Sequence, residues 1–114
     1  MENYSASLNH VFHALSNPIR RSVIARLGEG AASISELAAP FDLGLPTFLK
    51  HITVLEESGL IASEKTGRIR VCKLRRDKLV AAEKWFDQQR EEWKSRYDNL
   101  DNLLTQLESE QHET

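Results

Sequence analysis

The stretch GLPTFLKHITVLEESGLIASEKTGRIRVCKL, Gly44 to Leu74, organises the reading of the whole chain. Pro46 suits the first turn of a helix, where its missing N–H costs nothing, and Phe48, Ile52 and Leu55 recur at the spacing of a buried helical stripe. The opposite face carries Thr47, Lys50 and Thr53, with Leu49 and His51 at its margins. Gly59 supplies the stop. Two alternating runs, Leu60 to Lys65 and Arg68 to Leu74, then read as strands around a Thr66-Gly67 turn, with Lys65, Arg68 and Arg70 at the tip and on the return strand. An amphipathic helix with a polar outer face, followed at once by a basic hairpin, has the form of a recognition helix and wing. Such a helix fits the DNA major groove, and the hairpin reaches the flanking backbone or minor groove. Thr47, Leu49, Lys50 and Thr53 are therefore the expected base-edge contacts. His51 is expected on a phosphate or in helix packing, and Lys65, Arg68 and Arg70 on phosphate or minor groove.

Upstream, the same pattern continues. Leu8, Val11, Phe12 and Leu15 fall at i, i+3, i+4 and i+7 and predict a helix from about Ser5 to Leu15. Asn17 and Pro18 open a second helix with Ile19, Val23, Ile24 and Leu27 inward, ending near Gly28 or Gly30. Ser33, Ser35 and Glu36 start a short third helix through Leu37 and Ala38, which Pro40 ends. Phe41 to Gly44 is the turn, with Leu43 expected to point inward. The fold expected is mainly α: a winged helix-turn-helix with a two-stranded β-hairpin wing, over residues 1–75.

Downstream, residues 76–110 contain neither Pro nor Gly, enough for a helix of ~50 Å at ~1.5 Å per residue. Leu79, Ala82, Phe86, Gln89, Trp93, Arg96, Leu100, Leu103 and Leu107 alternate steps of three and four, a heptad seam interrupted by Gln89 and Arg96. Residues 76–114 thus read as a long C-terminal dimerisation helix and tail. The first helix is the surface expected to join it, so that Leu8, Val11, Phe12, Phe86, Trp93, Tyr97, Leu100 and Leu104 form the interface of a homodimer.

The formal net charge of -2 over 114 residues is unevenly spread. Residues 45–78 hold eight Lys/Arg against four acids, or +4; residues 79–114 hold four against nine, or -5; the first 44 hold three against four, or -1. A Debye length of ~8 Å at physiological salt keeps the distant acids from cancelling the local basic surface. No apolar run approaches the ~18 residues of a membrane span, and MENYSAS lacks the features of a signal peptide, so a cytoplasmic protein without membrane contact is expected. One cysteine, Cys72, excludes an internal disulfide or a cysteine-rich zinc site within one chain.

The strings NPIRRSVIARL and SISELAAPFDLGLPTFLKHITVLEESGLI, followed by the Gly-Arg wing and the Trp-containing final helix, resemble the ArsR family of bacterial winged-helix repressors across almost the whole chain. The resemblance implies a homodimeric transcriptional repressor on an inverted-repeat operator, released in many members by a metal or other effector. Two departures stand out. Ala38 to Phe41 lacks the cysteine pair that metal-sensing members carry there, and Leu49 replaces a small hydroxyl residue in the base-reading part of the helix. A leucine at that place suits a thymine methyl rather than a hydrogen bond.

Several features have plainer explanations. Lys50 and His51 alone would be solvated helix residues, and Arg68 and Arg70 edge-strand charges; only the hairpin beside the helix makes them a reading surface. His10 and His13 lie one turn apart but lack a third ligand at metal-site spacing, His112 falls in a tail, and Cys72 is read as a half-buried apolar residue. No nucleophile elbow, phosphate loop or HExxH motif is present, so neither an enzyme nor a cofactor is expected. A protein-interaction module built on the acidic final helix is the alternative to DNA binding.

Overall fold

A computed structural model describes residues 2–113, with side chains from residue 6 to residue 110, so the His112 side chain lies outside the described residues. The elements run α1 (Glu2–Leu15), α2 (Pro18–Leu27), β1 (Ala32–Ser33), α3 (Ile34–Ala38), α4 (Leu45–Glu57), β2 (Ile61–Thr66), β3 (Ile69–Leu74) and α5 (Arg76–Glu113).

The helix ends follow local chemistry. Asn17 Oδ1 accepts from the Ile19 and Arg20 amides at 2.8 and 3.2 Å, with Pro18 at the first helical position of α2. Ser33 Oγ accepts from the Glu36 amide and donates to the Glu36 carboxylate, both at 3.1 Å, a reciprocal cap for α3. At the end of α4, Gly59 takes φ +81°, its amide bonds Glu56 O, and the Leu60 amide reaches back to Leu55 O at 3.2 Å. That is a Schellman motif, and it drops Leu60 into the core as the first step toward the wing.

The sheet has three strands in the order β1-β3-β2, all antiparallel, where a two-stranded wing was expected. The added strand pairs Ala32 with Cys72 and Ser33 with Val71. Two residues carry no periodicity, so β1 exists only through its partner. Gly67 and Arg68 form the loop between the paired Thr66 and Ile69, one residue beyond the expected turn, with Gly67 at φ +64°.

The chain divides into two units, residues 1–82 and 83–114. In the first, Phe48, Ile52, Leu55, Leu60, Ile61, Val11, Val23 and Cys72 are almost wholly enclosed. Helix α1 packs on α2 and α4, and the Lys78 ammonium at the start of α5 donates to Ser7 Oγ at 3.1 Å. Three expectations are corrected here. Leu8 and Val11, assigned to a dimer interface, belong to the chain's own core, because α2 and α4 cover the stripe of α1; Phe12 beside them is half-buried. Leu43 is exposed; Phe41 is the inward residue, its ring stacked on Phe48 with centroids 5.9 Å apart. Cys72 is fully rather than half enclosed, and burial, with the Glu56 carboxylate next, pushes its thiol pKa up.

The second unit is the remainder of α5. Trp85 meets Phe86 edge to face at 5.1 Å, and Arg90 pairs with Asp87 one turn before it. Phe86, Trp93, Leu100 and Leu107 recur every seven residues, with Tyr97, Leu103 and Leu104 beside them, and all seven are exposed. A half-exposed apolar row of this length on one helix is the principal unburied hydrophobic feature among the described residues.

Candidate nucleic-acid interface

The exposed face of α4 carries Thr47, Lys50 and Thr53, with Leu49 and His51 half-buried on either side, and Leu45 stands 54% exposed at its first turn. Phe48, Ile52 and Leu55 on the opposite face fix the helix to the core. Not every polar group on the outer face is available. The Thr53 hydroxyl donates to Leu49 O at 3.0 Å, an intrahelical bond that occupies its proton and leaves its methyl and lone pairs outward.

His51 is engaged from behind. Its Nδ1 lies 3.1 Å from Arg20 Nη1, and the same guanidinium donates through Nε to Ala14 O at 2.7 Å and through Nη2 to His13 O at 3.1 Å. Arg20 is itself buried, at 8% exposure. Enclosure of the imidazole, and then the Arg20 charge, hold the His51 pKa below its ordinary value. The helix-packing half of the expectation for His51 is therefore present in the geometry.

In the wing, Lys65 and Arg68 are exposed, Arg68 within the loop itself. Arg70 behaves differently. Its Nη2 pairs with the Glu56 carboxylate of α4 and its Nε donates to Ser63 Oγ at 2.8 Å, while Ser63 Oγ donates to Glu56 at 2.9 Å. Arg70 thus ties the wing to the C-terminal end of α4 while its side chain stays 43% exposed. Leu49, Ser35, Arg68, Ile69 and Arg70 line a groove of about 490 Å³ between α3, α4 and the wing, so helix and hairpin present one continuous surface.

This is a helix-turn-helix with an attached hairpin, and a family model described as a helix-turn-helix domain matches residues 15–64. A crystal structure of an ArsR family transcriptional regulator superimposes with a TM-score of 0.77 at 47% identity, covering 80% of this chain and 94% of that one. The chain belongs to the ArsR family. It is also 28% identical over 61 residues to the transcriptional repressor SdpR of Bacillus subtilis, across 54% of this chain and 68% of that repressor. A homodimeric winged helix-turn-helix domain from Mycobacterium bovis shares the fold, with a TM-score of 0.61 at 19% identity over 74% of this chain and 80% of that one. The ArsR family is one of DNA-binding transcriptional regulators, and the mainly helical fold with its long C-terminal helix is the one the sequence predicts.

Other expected features stand apart from this surface. His10 and His13 are exposed and share a cleft with Asn9, Val54, Glu57 and Ser58. Among the described residues no three His, Cys, Asp or Glu side chains gather as a metal site, and no helix is long and apolar enough to cross a membrane. Arg20 and the Glu56–Ser63–Arg70 tie were missed in the sequence. Arg20 had a visible signal: with Val23 and Leu27 it falls at i, i+3 and i+7, an arginine on the apolar stripe of α2.

Proposed function

We propose that this ArsR family member is a homodimeric repressor in which residues 1–75 read DNA, residues 76–114 join two copies, and the two α4 helices enter successive major grooves of an inverted-repeat operator about 34 Å apart. One observation carries the DNA surface: Thr47 and Lys50 on α4 and Lys65 and Arg68 on the wing are all exposed, and Leu49 and Arg68 line one groove between helix and wing, on the one segment of the chain with a positive balance. The exposed seam of α5 supports the pairing, as does the homodimeric neighbour.

Fragments of source genomic DNA retained by the protein would supply the operator for a gel-shift titration. Lys50→Ala and Arg68→Ala are each expected to weaken binding about tenfold, and each phosphate contact removed should flatten the dependence of log K on log salt by about one unit. Native affinity in both variants would rule out this surface. Absence of binding to any genomic fragment would favour the protein-interaction alternative.

Leu45 and Leu49 lie one turn apart on α4, and their apolar side chains suit thymine methyl groups. Replacing thymine by deoxyuridine throughout the half-site deletes those methyls. Each lost contact is expected to weaken the native protein about fourfold, and to change binding by Leu45→Ala/Leu49→Ser hardly at all. Equal native affinity for both DNAs would exclude methyl reading.

A further inference from the structure

We propose that Arg20 is a positioning residue for DNA recognition: its guanidinium locks the His51 imidazole in the neutral Nε2–H form and sets that N–H as an uncharged donor to the DNA backbone. The inference rests on the DNA-reading role of α4. Arginine offers only donors and keeps its proton in proteins, so the 3.1 Å contact between Arg20 Nη1 and His51 Nδ1 requires a lone pair on Nδ1. The neutral ring then carries its hydrogen on Nε2. An imidazolium would set two N–H groups against each other at that contact.

The guanidinium is not free to turn away. Its Nε and Nη2 are fixed by Ala14 O and His13 O, carbonyls of the last turn of α1, where unsatisfied acceptors and the negative end of the helix dipole receive a cation without any carboxylate. Arg20 therefore joins the end of α1 to α4 in one rigid link. His51 follows Lys50 and lies one turn after Thr47, so the imidazole edges the row of side chains proposed to face DNA. It remains half-exposed, with Nδ1 occupied from the protein side. Of the two ring nitrogens, Nε2 is the one left for a ligand, and phosphate oxygens accept readily from such a donor.

Glutamine and asparagine separate the two nitrogens. His51→Gln carries an amide N–H near the reach of Nε2, whereas His51→Asn offers an acceptor near Nδ1 for Arg20 and no outward donor. With the full chain and the genomically selected operator, His51→Gln is expected within about threefold of native and His51→Asn about tenfold weaker or more, at unchanged melting temperature. The salt slope of His51→Asn should equal the native one, because a neutral donor releases no counterion, unlike Lys50→Ala. Two-bond ¹⁵N–¹H correlation of the His51 ring should show Nε2–H in the native protein, and Arg20→Met should yield a mixture of ring forms. Native affinity in His51→Asn, a flattened salt slope, or an Nδ1–H or imidazolium ring at neutral pH in the native protein would overturn the assignment. A native chain that retains no DNA would instead overturn the proposed function beneath it.

Discussion

Trp93→Glu combined with Leu100→Glu is expected to give a monomer in sedimentation at micromolar concentration and to lower operator affinity by about a hundredfold or more. Trp93, Leu100 and Leu107 follow one another at seven-residue intervals on α5, with Tyr97 and Leu104 one helical turn after the first two, and each is exposed in the single chain. At ~25 cal/mol per Å² buried, covering a side chain of this size contributes roughly 2–3 kcal/mol, and two-fold symmetry counts every residue twice. Two carboxylates on the seam reverse the sign, since both are desolvated on pairing and the one seam cation beside them, Arg96, cannot compensate two charges. The loss of DNA affinity follows from linkage: when one half-site holds one copy, the attached second copy faces the other at an effective concentration that adds ~10²–10⁴ to binding. Circular dichroism should report an intact first unit, because none of these side chains belongs to its core. Persistence of the dimer would remove α5 as the joining element, and a monomer with native affinity would remove the two-groove mechanism.

The elements that could be read from the sequence are those whose cause is local. Asn17 and Pro18, the Ser33–Glu36 pair, Pro46 and Gly59 each satisfy or terminate a helix with atoms a few residues away, so α2, α3 and α4 begin and end close to where the pattern predicts. What escaped depends on residues distant in the chain. Strand β1 is two residues long and is a strand only because β3 lies beside it. The inward stripe of α1 was evident, but whether its partner is the same chain or a second one is a tertiary question, and Leu8 and Val11 are enclosed by α2 and α4. Arg70 and Arg68 look alike in sequence. A carboxylate 14 residues earlier, Glu56, holds one of them, while the other sits at the hairpin loop. Arg20 likewise finds its partners 6, 7 and 31 residues away, so its link to α4 was legible only as an arginine on the apolar stripe of α2.

Phe48→Ala is expected to lower the unfolding free energy by about 3–5 kcal/mol, the usual cost of a large aromatic deleted from a core that collapses incompletely. The ring is fully enclosed and stacks on Phe41, the only inward side chain the α3–α4 turn provides among Phe41, Asp42 and Leu43. Its deletion should therefore loosen the turn and the reading helix together. Against a typical total of ~5–15 kcal/mol, the melting temperature should fall by roughly 10–20 °C. Lys50, two residues later on the opposite face, is the control. Lys50→Ala should leave the melting temperature within about 2 °C while weakening DNA binding, since surface changes remote from packing stay within ~0.5 kcal/mol. Phe48→Ala should show the reverse at low temperature, where most molecules remain folded and Lys50 and the wing are untouched. If both variants lose affinity and stability in proportion, the two faces of α4 are not separable, and the assignment of one to the core and the other to DNA fails. A melting temperature unchanged by Phe48→Ala would instead mean that Ile52 and Leu55 alone hold the recognition helix in place.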